Sequence, residues 1–124
     1  MSNGKKHWYI VDGYLPYPCE IKKSEFKGHE AIMILNCNTA DAEVLMDIYF
    51  EDKEPIKNIK FTVKAERVKC IRMDHPEEIG DIVLGIQEQY SLRFQSSINV
   101  VIQYGRMDIA QANLAYIGTM GYSE

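Results

Sequence analysis

The amino-acid sequence predicts an all-β protein, a sandwich or a barrel built from seven or eight short strands. Three observations predict it. Apolar residues recur with period two along most of the chain, the period of a strand with one buried face. Clusters of Gly, Pro, Asn and Asp interrupt those runs at short intervals. Only one stretch, Asp108 to Tyr116, is composed as a helix.

Taken in order, Trp8 to Val11 reads as a first strand ended by Asp12-Gly13, and Pro16 and Pro18 break the segment that follows. His29 to Asn36 is apolar on both sides, with Ala31, Met33 and Leu35 against Ile32 and Ile34. Such a strand sits in the middle of a packed sheet or reaches into an interface. Asn36 to Asp41 is polar and short, the composition of a hairpin loop. Val44, Met46, Ile48 and Phe50 then alternate with Leu45, Asp47, Tyr49 and Glu51. After a connection over Asp52 to Asn58, Ile59, Phe61, Val63 and Ala65 alternate with Lys60, Thr62, Lys64 and Glu66, one face core and the other wet. Val68 to Met73 is a short strand, and Asp74 to Gly85 a surface loop with one helical turn. Tyr90 to Gln95 and Ile98 to Tyr104 read as two further strands. Asp108 to Tyr116 is a short C-terminal helix capped by Asp108, or else a terminal strand. With no repeat and no linker, the expectation is one domain over 1–124, disordered at 1–6.

The 124 residues suffice for a core without metals or disulfides. The formal net charge is -4, so nucleic acid is not an expected partner, because phosphate contacts call for a basic face. Lys57, Lys60, Lys64, Arg67, Lys69 and Arg72 lie close together in sequence and read as the solvent faces of strands. Cys19, Cys37 and Cys70 are odd in number and lack CxxC spacing, which points to a reducing compartment and to buried or idle thiols. No apolar run approaches the roughly 20 residues of a membrane helix, and none of signal-peptide length follows Lys5-Lys6. The expected location is cytoplasmic, with no direct membrane insertion.

Motifs for catalysis do not occur: there is no nucleophile elbow, phosphate loop or zinc helix. His7, His29 and His75 are not at ligand spacing. No catalytic residue, metal or cofactor is therefore predicted, and a binding protein is favoured over an enzyme. His29 and Glu30 fall on opposite faces of one strand. Glu51-Asp52-Lys53-Glu54-Pro55 is either a carboxylate site or a charged turn. Arg106 and Asp108, two apart on extended chain, share a face and suit either a polar ligand or a structural ion pair. Trp8, Tyr9, Tyr14 and Tyr17 suit sugar stacking, an interface anchor or core packing. The candidate ligand- or partner-binding residues are Trp8, Asp12, His29, Asn36, Glu51, Asp52, Gln103, Arg106 and Asp108.

Four motifs, in order and in register, carry a family resemblance. Trp8-Tyr9-Ile10-Val11-Asp12-Gly13-Tyr14-Leu15-Pro16 resembles the opening of the sensory rhodopsin transducer family. His29-Glu30-Ala31 followed by Leu35-Asn36, the run Ile48 to Pro55, and Gln103-Tyr104-Gly105-Arg106-Met107-Asp108 with Gln111 are similar to its later signatures. The resemblance spans about Trp8 to Tyr122. Gly105 and Ile109 depart from it where hydroxyl residues are expected, and Asn99 where proline is expected. The resemblance implies an antiparallel β-sandwich of about eight short strands that assembles as a homotetramer. It implies a soluble partner for the cytoplasmic face of a light-sensing membrane receptor. For relatives without such a receptor it implies sugar metabolism or small-molecule sensing, and DNA binding has been raised for the namesake.

Two functions follow as expectations. The first is a non-enzymatic signalling adaptor that recognises a receptor through the strand-end loops Asp12 to Tyr17 and Glu51 to Pro55, since loops carry such contacts. The alternative is a domain that binds a sugar-like small molecule.

Overall fold

Each alternating run pairs antiparallel with a neighbour, and the pairs form two sheets that share one long strand. The computed structural model describes residues 3–15, 29–85, 88–108 and 115–124. Its strands are β1 (Lys5–Tyr14), β2 (His29–Asn36), β3 (Ala42–Phe50), β4 (Ile56–Val63), β5 (Arg67–Arg72), β6 (Gln89–Asp108), β7 (Ala115–Met120) and β8 (Tyr122–Ser123), with a 3-10 turn at Pro76–Glu78. Sheet A runs β4-β3-β6-β1-β8, and sheet B runs β5-β2-β6-β7. The protein is an all-β antiparallel sandwich, as the alternation and the family resemblance predict.

Three local expectations need correction, and one left open is decided. Tyr90 to Gln95 and Ile98 to Tyr104 are one strand, because Ser96 and Ser97 continue extended rather than turning. The run holds neither Gly nor Pro, the strongest strand breakers. The N-terminal half of β6 pairs with β1 and β3, its C-terminal half with β2 and β7. Next, Asn36 to Asp41 is not a hairpin loop, since β2 lies in sheet B and β3 in sheet A. The buried Asn36 amide holds this crossing: Nδ2 donates to Ala40 O at 2.9 Å and Val63 O at 3.0 Å, while Oδ1 accepts from Asn38 N at 2.9 Å. Third, β1 begins at Lys5, inside the segment expected to be disordered, and Lys5 pairs with Val100. Last, of the short helix and the terminal strand that Asp108 to Tyr116 allowed, the described ends take the strand, with Asp108 opposite Ala115 in the β6–β7 ladder. Residues 109–114 lie outside the described residues. The 3-10 turn falls inside the predicted surface loop.

The core lies between the sheets. Trp8, Ile10, Met46, Ile48, Leu92 and Phe94 come from sheet A, and Ile32, Ile34, Ile71, Ile102 and Tyr104 from sheet B. Burying a side chain of this size is worth about 1.5–3 kcal/mol. Trp8 also needs a partner for its indole, and Nε1 donates to Lys5 O and Val100 O, each at 3.0 Å. Cys37 and Cys70 are free thiols and exposed, so of the two expectations, buried or idle, burial does not hold for them; Cys37 follows the end of β2 and Cys70 lies on β5. Cys19 lies outside the described residues.

Candidate functional site

Period two puts Glu30, Ile32, Ile34 and Asn36 on one face of β2, and that face is the core. A carboxylate is thereby carried inside at the first turn of the strand. Glu30 is 0% exposed. Its Oε1 accepts from the Tyr90 hydroxyl, and its Oε2 from the Tyr104 hydroxyl. Oε2 also accepts from the Tyr14 backbone N–H at 2.7 Å. The two tyrosines are fourteen positions apart on β6, one in each of its halves, so this one carboxylate ties both sheets and the end of β1 together. Gly13 makes room, because a Cβ there would lie 2.5 Å from the Tyr90 ring.

Electrostatics at this clasp follow from burial. Burial pushes the Glu30 carboxyl above the usual carboxylate range, while the two tyrosine hydroxyls, the Tyr14 N–H and the Arg106 charge pull it back. Burial and the same carboxylate push both phenols, Tyr90 and Tyr104, well above theirs. Arg106 stands opposite Glu30 in the β2–β6 ladder, with its guanidinium carbon 5.5 Å from the Tyr14 ring centroid. Its Nε is buried without a hydrogen-bond partner.

Around the clasp the strand ends converge. Gly13 of β1 and Phe50 of β3 both stand opposite Tyr90. Gln89 Nε2 donates to Asp12 Oδ1 and to Gly13 O, both at 2.9 Å. Lys53 Nζ lies 2.6 Å from Glu88 Oε2 and 4.3 Å from the Phe50 ring centroid. The end of β1 and the start of the loop after β3 thus share one rim of the sandwich.

The outward faces of the two sheets differ. Sheet A turns Glu43, Asp47, Tyr49, Lys60, Arg93 and Gln95 to the solvent side, by their register with one another. On sheet B the corresponding positions are mostly apolar, with Met33 and Leu35 of β2, Val68 and Cys70 of β5, Val101 of β6 and Met120 of β7, and with Gln103 of β6 and Arg72 of β5 as the polar members. Val68 is 63% exposed, Met120 54% and Leu35 42%. An apolar sheet face left open in a single chain is the usual mark of an interaction surface.

The model of one family, "Anabaena sensory rhodopsin transducer", matches residues 3–123. The chain belongs to the sensory rhodopsin transducer family. A crystal structure of a Thermotoga maritima protein resembles this transducer-family chain with TM-score 0.83 and 25% identity, covering 98% of this chain and 97% of that one. The Anabaena sensory rhodopsin transducer itself resembles it with TM-score 0.73 and 32% identity, covering 90% and 96%. No curated protein matches the chain. Among the described residues no helix is long and apolar enough to cross a membrane.

Within this transducer-family fold the nine candidate residues separate. Asp12, Glu51 and Asp52 are exposed on the shared rim, and His29 and Arg106 are half-buried at the adjoining ends of β2 and β6. Gln103 is exposed in the middle of the outer face of sheet B, opposite Met33 and Met120. Trp8 is a core residue and Asn36 a buried crossing clamp, so neither offers a side chain to a ligand. Asp108 ends β6, and its side chain lies outside the described residues. Sequence reasoning missed Glu30, Tyr90 and Tyr104. Their signal was present: a glutamate in phase with two isoleucines on an otherwise apolar strand.

Two further features of the surface are concave or rich in metal-type ligands. An open depression of about 470 Å³ on sheet A is lined by Glu43, Leu45, Lys60, Gln95 and Ser97 among others, and by none of the nine candidates. His75, Glu77 and Glu78 hold ligand-type atoms within 4.8 Å of one another. Glu78 is already engaged there, accepting from Arg72 N at 3.0 Å and meeting His75 Nδ1 at 2.7 Å.

Proposed function

We propose that this chain is a cytoplasmic signalling adaptor that acts by protein–protein recognition, without catalysis, and works as a homotetramer bound to the cytoplasmic face of a rhodopsin-type membrane receptor. The observation that carries this reading is the apolar outer face of sheet B, which an isolated subunit leaves in water. A face of Met, Leu and Val on a rigid sheet has the composition of an interface core rather than of a solvated strand. Membership of the transducer family supports the receptor as partner. The shared rim of Asp12, Glu51 and Asp52 supplies acidic loops for the receptor side, where the cytoplasmic segments of membrane proteins carry excess Lys and Arg. A small-molecule role draws less support, since the depression on sheet A takes in none of the rim residues and the smaller groove beside β1 takes in Asp12 alone of the nine candidates.

Sedimentation velocity tests the assembly and receptor capture tests the partner. Wild type is expected to sediment as a tetramer, and Val68→Glu, which puts a charge on the β5 side of the apolar face beside Leu35, as smaller species with unchanged circular dichroism. Detergent-solubilised sensory rhodopsin is expected to retain the wild-type chain. Lone subunits at every concentration, together with no retention in light or dark, would overturn the reading.

A further inference from the structure

Sheet edges differ in how they are protected. An open edge displays unpaired N–H and C=O groups, and proteins guard it with charge, proline, a bulge or brevity. Among the described strands, β4 pairs only with β3, and carries Lys57 and Lys60 together with a register shift opposite it between Met46 and Ile48. β5 pairs among them only with β2, and carries Arg67, Lys69 and Arg72. β8 is two residues long. β7 has none of these devices. Its sequence, Ala-Tyr-Ile-Gly-Thr-Met, has no charge and no proline; it keeps an unshifted register with β6 over six residues and, among the described strands, pairs with nothing else. Residues 116 to 120 are all exposed.

Beside this edge lies a groove of about 240 Å³, walled by Tyr9, Val11, Tyr104, Met120 and Tyr122 and carrying Asp12 as its one charged lining residue. Glu124 adds a second carboxylate at its mouth, accepting from the Tyr9 hydroxyl at 3.1 Å. Arg93, the nearest cation across the sheet from Tyr9, is engaged by Asp47 at 2.8 Å. Aromatic walls with carboxylates and no free cation suit a lysine or arginine side chain. A chain of net charge -4 favours the same sign of partner.

We infer that β7 is a docking edge for an extended, basic segment of a partner protein, which adds as a new strand beside Ala115–Met120 and places a lysine or arginine in the adjoining groove. Main-chain hydrogen bonds to β7 give the affinity, and the groove gives the charge selectivity. The inference rests on the adaptor reading above and names the chemistry of its partner: a basic cytoplasmic tail in extended form.

The test uses the full chain and two capped eight-residue peptides, one alternating lysine with threonine and one alternating glutamate with threonine. The readout is amide hydrogen exchange at residues 116–120. The lysine peptide is expected to slow that exchange about tenfold or more at saturation, and the glutamate peptide to leave it unchanged. Ile117→Lys, which guards the edge, and Thr119→Lys, which sets a built-in cation beside the groove, are each expected to weaken the lysine peptide about tenfold or more. Two substitutions keep the test alive should either lower the melting temperature. Equal protection by both peptides, or none at millimolar concentration, overturns the inference. So does β7 protection without peptide that disappears, along with the oligomer, in Ile117→Lys; that result gives the edge to a second copy of the chain. Receptor capture that survives Ile117→Lys unchanged overturns the edge while leaving the adaptor reading intact.

Discussion

Glu30 and Asp47 are both withdrawn from water, at 0% and 4% exposure, but on opposite sides of the sheets. Asp47 faces outward from sheet A. Its Oδ2 accepts from Arg93 Nη2 at 2.8 Å and Nε at 3.1 Å, and its Oδ1 from Asn58 N at 2.9 Å. It thereby holds the start of β4, where Asn58 has φ +63. A guanidinium matches the carboxylate's charge, and Arg93 itself reaches the surface. Glu30 faces inward, and every hydrogen bond the structure gives it comes from a neutral donor. The comparison separates a carboxylate that serves local backbone geometry from one placed where two sheets and three strands must agree. Removing one partner of a buried network costs more than the network contributes, because the rest is left unsatisfied.

The largest effect is expected at the clasp. Glu30→Ala strands the Tyr14 N–H and two phenolic hydroxyls in the core and opens a cavity, so a loss of about 4 kcal/mol or more is expected in urea unfolding, enough to unfold a marginal domain. Asp47→Ala is expected to cost about 1–2 kcal/mol, since Arg93 can turn into water and only the Asn58 N–H loses its acceptor. Equal losses from the two substitutions would break the comparison, and would mean that the neutral donors at Glu30 find other partners.

How much of this was legible in the sequence divides along the same line. Strand periodicity was readable because one wet and one dry face leave a period-two trace, as in Ile59 to Glu66. Register and partner choice were not. Asn36 looked like a hairpin residue because polar loops between strands usually close hairpins, while its real task is to clamp a crossing between sheets. Ser96-Ser97 looked like a break because serine is common in turns, yet a strand long enough to serve two sheets passes through them. Glu30 was read as one of a pair with His29 on opposite faces, which is correct; which face was the core could not be decided while both were apolar. Trp8 offers the reverse lesson. An indole near an aspartate suggests a ligand, but its N–H was needed by two carbonyls of the fold. Of the candidate site, the acidic turn Glu51 to Pro55 was legible as a turn from its composition, and the exposed edge at β7 was hidden behind a composition that tolerates a helix as well as a strand.

The smallest effect sharpens the comparison most, because it isolates charge from shape. Glu30→Gln keeps an acceptor for the Tyr14 N–H and the Tyr104 hydroxyl, and offers an amide donor to the Tyr90 oxygen. Glu30 has its carboxyl pushed up by burial in the folded state. In the unfolded chain it titrates near the ordinary value of about 4.3. Below that value both states hold the proton, and wild type and Glu30→Gln are expected to have unfolding free energies within about 0.5 kcal/mol of each other in urea titrations. As pH rises through the window between the unfolded and folded values, the unfolded chain releases its proton first. Wild type then loses stability relative to the glutamine variant, and the difference levels off above the folded value. Asp47→Asn serves as the control at the other carboxylate. A wild-type curve that instead gains on Glu30→Gln with rising pH means that the three donors and Arg106 outweigh burial.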